Sequence, residues 1–525
     1  MRSLWTLLLL AAPLLVACGS NPPELLILEV PPTSGVGGGG AGQPAYFPST
    51  GGGTGGGGVE VDPVVFDDSV IDLGRAGGYP SDLAADSKGT LYTVDDALVP
   101  CKVLAYPSDG GTAPIATVAI GPADLIDMDG STPARSVNAF GAGLFGAYTG
   151  DLAIVFNRWL LVTVGAGNSI SFDANGPLYL ANLVVIDTWN RKVVQTVNLA
   201  WPLPRSGSFA GGGNFGSVTQ SMPVSLIFLP TGDGTTSGTL HVAMSNGMGD
   251  NYGLSDYFPG TVQEWAVDFR APEPVSAVTS GTVPGEITRT YFSKYYNPVA
   301  LSGYVAADGR RCLILTAAGG SRFDANYVLQ PLSSAHLEFL DLESNSWQPN
   351  WEINLGPILP SVAPLAHGSD GNGVQFALLT SQTFAAVYVV ELTGLESNPV
   401  DTSCIRLLRS TDLTPGGASQ AGSGFQPGIA VTPSGRTALV TAFNSSSLSV
   451  LALPSDIEYG QITIDPVPFD TVNLVSSKHS GLGALAILPG ASADAYFVVN
   501  GTFTPNYTPA GSAFVGTLTV PKGLP

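Results

Sequence analysis

From residue 59 onward, apolar positions come in short runs broken by Gly, Pro, Asn and Asp, and not at the spacing of a helical face. Residues 80–95, PSDLAADSKGTLYTVD, read as a strand, a Gly turn and a second strand. Residues 427–444, PGIAVTPSGRTALVTAFN, repeat the pattern, and Leu448–Leu451 adds a third strand. Residues 178–199, LYLANLVVIDTWNRKVVQTVNL, supply the third and fourth strands of such a unit. No stretch reads as a sustained amphipathic helix.

First strands recur near Pro80, Gly150, Pro223, Pro298, Pro364, Pro427 and Gly483. Periodic four-stranded antiparallel units predict an all-β chain and a seven-bladed β-propeller, with six or eight blades left open by the degenerate units. The last unit lacks a fourth strand before Pro525, and residues 64–73, VVFDDSVIDL, precede the first unit. This N-terminal segment is expected to supply the missing outer strand and close the ring, which removes an exposed sheet edge. Residues 427–451 and 184–199 resemble the YVTN-type β-propeller repeats of bacterial surface and periplasmic proteins. That resemblance implies binding or scaffolding and hands over no catalytic residue.

The N-terminus has a different character. Arg2 precedes an apolar run from Leu4 to Val16, and Leu15-Val16-Ala17-Cys18 follows. The run is shorter than the ~20 residues of a membrane-spanning helix. It resembles a bacterial lipoprotein signal, which implies a signal peptide over 1–17 and a lipid-bearing Cys18 as first mature residue. More than one chain on that cysteine would anchor stably. Gly19 and Ser20 follow it, with no Asp at the second position, which favours the outer membrane of a Gram-negative envelope. Residues 18–58 form a tether: 13 of the 24 residues from Gly35 to Gly58 are Gly, too few apolar side chains to fold. As a flexible coil it spans about 35 Å. Residues 24–30, ELLILEV, are its one apolar run. Residues 59–525 are the propeller domain.

Charge narrows the partners. Lys and Arg number 20 against 41 Asp and Glu, a net charge of −21. Nucleic acid is a poor partner for such a surface, and anionic lipid heads are disfavoured for the same reason. Membrane contact is therefore expected through the N-terminal lipid only, and the protein is expected to be a monomer. Cys101, Cys312 and Cys404 are widely spaced, match no metal pattern, and read as small buried residues in strands.

Candidate chemistry lies in the loops. Those after second strands (165–177, 245–261, 318–334, 500–512) and after fourth strands (121–150, 200–222, 411–426) are long, whereas turns after first strands are short. In a four-stranded blade the long ones emerge on one face, which marks it as the binding face. Phe172, Asp173, Tyr252, Tyr257, Phe323 and Tyr327 are its candidate binding residues, because aromatic platforms beside hydrogen-bonding groups suit sugars or peptides. Asp124, Asp127 and Asp129 have a spacing that could wrap Ca²⁺, but the distal Glu of a calcium loop is missing. No metal and no cofactor are expected. His241 and His336 fall in strand patterns, while His367 and His479 fall near inner strands where a channel site could use them. No nucleophile elbow, zinc motif or phosphate loop appears. The expected function is an envelope lipoprotein whose propeller binds or scaffolds a protein, peptide or glycan. A hydrolase or lyase with a site at the channel mouth is the alternative.

Overall fold

The computed structural model describes residues 65–519 apart from parts of the connecting chain, among them 96–100, 127–146, 200–219, 280–286, 413–427, 454–466, 488–493 and 502–511. The expected signal, Cys18 and the tether lie outside the described residues.

The chain is an all-β propeller of four-stranded antiparallel blades. Blade 1 comprises Pro80–Ala85, Leu91–Asp95, Cys101–Tyr106 and Ala116–Ile120; blade 2 comprises Ala147–Val155, Trp159–Ala166, Ala181–Asp187 and Lys192–Asn198. Blade 3 begins with Gln220–Pro230, Ser237–Asp250 and Gly253–Asp268. Its outer position is shared by Val275–Ala277 and Thr290–Tyr296. Blade 4 has Pro298–Val305, Arg311–Ala317 and Ala335–Asp341, with a similarly divided outer position at Ser346–Trp347 and Ile353–Gly356. Blade 5 comprises Ala366–Ser369, Gln375–Thr380, Ala386–Glu391 and Arg406–Asp412; blade 6 comprises Gly428–Val431, Thr437–Ala442, Ser447–Ala452 and Val467–Asn473.

Six blades, not the seven of the sequence reading, are thus built from strands consecutive in the chain. The remaining four-stranded sheet is composite: His479–Ile487, Asp494–Gly501 and Ser512–Thr519 pair in order, and Val65–Ala76 lies antiparallel on Ser512–Thr519, with Val65 opposite Thr519. Its inner strand, His479–Ile487, packs beside the inner strands of blades 1 and 6.

The period-2 geometry of a strand explains the core. Every residue of Ala181–Asp187 is buried. Val184 and Ile186 turn towards blade 1, joining Val103 and Leu160, while Leu183 and Val185 turn towards blade 3, joining Leu240 and Val267. Such a strand is apolar on both faces because it is covered on both, so it reads as a continuous run. The same layering recurs between blades 3 and 4 (Val262, Leu313), 4 and 5 (Ile314, Phe339, Leu379) and 5 and 6 (Leu378, Val389, Val440). Blades approach so closely that a Cβ added at Gly260 would lie 2.6 Å from the ring of Pro298.

Polar groups stitch the inner strands together. The Leu152 amide donates to Asp82 Oδ2 (2.9 Å), and the Leu226 amide and Ser225 hydroxyl donate to Asp151 Oδ2 (2.8 and 2.9 Å). Ser302 Oγ accepts from the Leu365 amide at 2.8 Å. Each bond crosses from one blade to the next. The cysteines divide. Cys312 is buried in a strand as expected, its thiol pushed up to about 12 by burial. Cys404 instead ends a short 3-10 turn, Thr402–Cys404, because Asp401 caps that turn through the Ser403 amide (3.0 Å).

Candidate functional site

The two faces of the ring differ. On one, second strands run into β-hairpins. In blade 2, Ser171–Asp173 pairs with Gly176–Leu178; in blade 4, Ser321–Phe323 pairs with Leu329–Pro331. In blade 3 the second and third strands themselves extend into a long ribbon ending at Asp250 opposite Gly253. On the other face, turns after first strands are tight: Phe156–Arg158 in blade 2 and Ala307–Arg310 in blade 4.

The proposed binding residues distribute over the three hairpins. Phe172 pairs with Pro177 and Asp173 with Gly176, Tyr257 lies opposite Gly247, and Phe323 lies opposite Leu329. Tyr252 and Tyr327 lie outside the described residues. So the aromatic positions share one face, on adjacent blades 2, 3 and 4.

At the base of these hairpins sits a polar cluster that the sequence did not single out. The Lys294 ammonium lies 3.1 Å from Glu352 Oε2, and the Tyr295 hydroxyl donates to the same oxygen at 2.9 Å. Tyr295 stacks on His336 with ring centroids 3.7 Å apart. His336 Nδ1 lies 3.1 Å from the Ser334 carbonyl, so Nδ1 carries the proton, and burial lowers the imidazole's pKa. Glu338 is buried; Ser293 Oγ and the Lys294 amide (3.0 Å) donate to its two oxygens. Burial raises its pKa despite those donors. The His336-x-Glu338 alternation was the only local signal, since the partners of Glu338 are 44 and 45 residues away. Glu338 is engaged inward and Glu352 meets Lys294 at the surface, and together they pin Thr290–Tyr296 onto blade 4.

The histidines marked for the channel behave otherwise. His367 is on the inner strand of blade 5, but its ring nitrogens are buried, 5.9 Å between its centroid and that of Tyr304. His479 opens the strand His479–Ile487, and its side chain lies outside the described residues. Asp124 Oδ2 accepts from the Gly121 amide at 3.0 Å, closing a short turn, while Asp127 and Asp129 lie outside the described residues.

The tight-turn face of blade 2 holds a second ordered cluster. Asp187, buried, accepts from Arg158 Nε (3.1 Å) and Nη2 (2.7 Å), from the Trp189 amide (3.0 Å) and from Asn190 Nδ2 (2.6 Å). The guanidinium of Arg158 lies 4.4 Å from the Trp159 ring and 4.7 Å from Trp189. Trp159 stacks on Phe269 at 5.0 Å. Phe156 adopts a left-handed φ of 51°, held by edge contacts to Phe228 (5.6 Å) and Phe269 (6.0 Å). Burial pushes the Asp187 carboxyl up, but the donors from Arg158 and Asn190 outweigh it and hold the pKa at about 2. The folded value lies below the unfolded one, so this stabilisation is present above about pH 4 and is lost as pH falls through 2. We expect Asp187→Asn to cost about 2 kcal/mol at pH 7. Urea denaturation at pH 7 and pH 2 checks it: a deficit unchanged between them would refute the electrostatic account.

No family model matches the chain, and no curated protein matches it. Solved structures do. The β-propeller domain of Cps50 (Swd1) from Myceliophteria thermophila is 10% identical, covers 88% of this chain and 99% of its own, and has a TM-score of 0.43. The hydrazine synthase of Kuenenia stuttgartiensis is 12% identical over 83% of this chain and 97% of its own, with a TM-score of 0.43. The Dos1 propeller is 11% identical over 84% and 78%, with a TM-score of 0.39.

Proposed function

We propose that this chain is an envelope lipoprotein, acylated at Cys18 and carried on the tether of residues 18–58, whose propeller binds or scaffolds a protein, peptide or glycan. In this reading the composite sheet is the seventh blade, the strand Val65–Ala76 closes the ring, and the repeats are of the YVTN type. One observation carries the binding role: three adjacent blades each raise a β-hairpin on one face, while the turns opposite stay tight. Hairpins raised together on one face of a repeat fold build recognition surfaces. The enzyme alternative would place a site at the channel mouth with His367 or His479, but both ring nitrogens of His367 are buried.

Two measurements test it. Tagged protein is crosslinked to solubilised envelope from the source organism and bound proteins are identified by mass spectrometry, with a glycan array run in parallel. We expect one dominant ligand, lost when the connections 245–261 and 318–334 are shortened. A ligand retained by that variant would refute the hairpin face as its site. Separately, labelled palmitate is expected to enter the wild type and not Cys18→Ser; equal labelling would refute the anchor.

A further inference from the structure

We propose that the tight-turn face of blades 1 and 2 rests on an anionic lipid surface, holding the hairpin face away from the membrane. This inference rests on the reading of Cys18 as a lipid anchor. Four independent observations converge on it.

The first is where the chain enters. Val65 pairs with Thr519 and Ala76 with Ser512, so Val65–Ala76 runs from the tight-turn face to the hairpin face. Pro80, four residues later, starts blade 1 on the hairpin face. The tether therefore joins the domain on the tight-turn face, beside blade 1.

The second is apolar exposure. Among the described residues six large apolar side chains are exposed, and four of them, Ile115, Phe156, Trp189 and Val305, lie at tight-turn ends of strands. The first three belong to blades 1 and 2, and Trp189 is 64% exposed. The other two, Tyr296 and Leu332, are on the hairpin side.

The third is local charge. Lys88, Arg191 and Lys192 lie in the turns around Trp189. The Asn157 side chain bonds the Ser87 amide (3.0 Å) and hydroxyl (2.6 Å), joining the Lys88 turn to the Arg158 turn. Among the described residues of these turns the acids are Asp86 and Asp187, and both are buried and hydrogen-bonded inward. The outward charge here is positive although the chain is strongly acidic. Net charge speaks for the whole chain and not for this patch.

The fourth is preorganisation. Asp187 fixes the Trp189 turn, and Arg158 fills the space between Trp189 and Trp159. An exposed indole held in place loses little further freedom on docking. An indole ringed by Lys and Arg suits the headgroup region, where rings sit at the interface and cations meet lipid phosphate.

The test uses the mature chain, residues 18–525, as Cys18→Ser, so that neither the apolar run of the signal nor an acyl chain contributes. It is sedimented with vesicles of equimolar phosphatidylglycerol and phosphatidylethanolamine, with phosphatidylcholine vesicles, and mixed with alginate as a soluble polyanion. We expect partition into the anionic vesicles alone, weakened by salt, and quenching of tryptophan fluorescence by brominated lipid. Arg191→Glu with Lys192→Glu should lower partition about tenfold or more. Trp189→Ala should abolish the quenching without shifting the thermal midpoint. No partition, partition unchanged by the charge reversal, or preference for alginate would each overturn the proposal. Palmitate labelling is scored apart: labelled Cys18 without vesicle binding defeats this inference alone, and vesicle binding without labelling defeats the anchor.

Discussion

Asp151→Ala should cost about 3–4 kcal/mol at neutral pH, whereas Asp151→Asn should cost about 1 kcal/mol or less. Asp151 Oδ2 is the acceptor for both the Leu226 amide and the Ser225 hydroxyl of the next blade. Truncation leaves two donors without an acceptor in the closed seam between blades, each worth about 1–3 kcal/mol. An amide oxygen can still take both bonds. The neighbouring Asp82 adds a pH signature. Burial, then the charge of Asp151, raises the Asp82 pKa well above the ordinary carboxylate value, and burial raises Asp151 as well. Asp82 thus holds the proton and donates towards Asp151. A folded pKa above the unfolded one gives stability that is present in acid and is lost as pH rises through the folded value. Asp82→Asn keeps the acceptor for the Leu152 amide and has no proton to lose. It should therefore gain on the wild type steadily as pH is raised above 4. Chemical denaturation of the four proteins across pH 4–9 decides the matter. Equal deficits for Asp151→Ala and Asp151→Asn would refute the seam, and parallel pH curves for Asp82→Asn and wild type would refute the shared proton.

The blades were legible because their strands are apolar and their turns are punctuated. Pro80 and Pro298 start inner strands where the sequence placed them, and Gly150, Pro223 and Pro427 fall within a few residues of Ala147, Gln220 and Gly428. A strand covered on both faces, such as Ala181–Asp187, needs no alternation and stands out as a run. The seam was not legible. Asp82 and Leu152 are 70 residues apart, and Asp151 and Ser225 are 74; a lone Asp before a Leu carries no trace of its acceptor role. The long loops drew attention to aromatics such as Phe172 and Tyr257. Trp189 sits in a turn too short to suggest a site, and its exposure comes from Asp187 and Arg158, which only the packed blade brings together. Charge is silent for a related reason: a chain-wide sum says nothing about where buried acids leave cations outward. His336 and Glu338 alternate visibly, but their partners Lys294, Tyr295 and Ser293 belong to the divided outer strand of the preceding blade.

Acid should destabilise this fold through two histidines. His241, on the second strand of blade 3, is 1% exposed, and His367 is on the inner strand of blade 5; none of their ring nitrogens has a hydrogen-bond partner among the described residues. His241 faces Glu264 across the strand pair, with Arg311 and Arg289 nearby. Glu264 is already taken by the Tyr291 hydroxyl (2.6 Å) and Arg289 (3.2 Å), so it offers an imidazolium little. Burial lowers the pKa of His241 to about 4, against the opposing pull of Glu264, and burial alone lowers His367 to about 4. The unfolded chain takes up these protons first, near pH 6.5. Full stability is therefore present above about pH 6.5, falls as pH drops, and the loss is complete below about pH 4. Each histidine accounts for about 3 kcal/mol over that window. Asp82, Asp151 and Glu338, whose pKa values are raised, act with the opposite sign, so the wild-type curve alone cannot apportion the effect. The difference between wild type and His241→Leu, His367→Leu or both can. Leucine changes packing by an amount that does not depend on pH, whereas the lost proton uptake flattens the slope between pH 6.5 and 4. We expect each single variant to gain about 3 kcal/mol relative to wild type on acidification across this range, and the double variant about twice that, because the two sites lie in different blades and share no partner. Urea midpoints at pH 7, 5.5 and 4 are the measurement. Curves for the double variant and wild type that stay parallel would mean that both rings find a proton acceptor in acid, and the account would fail.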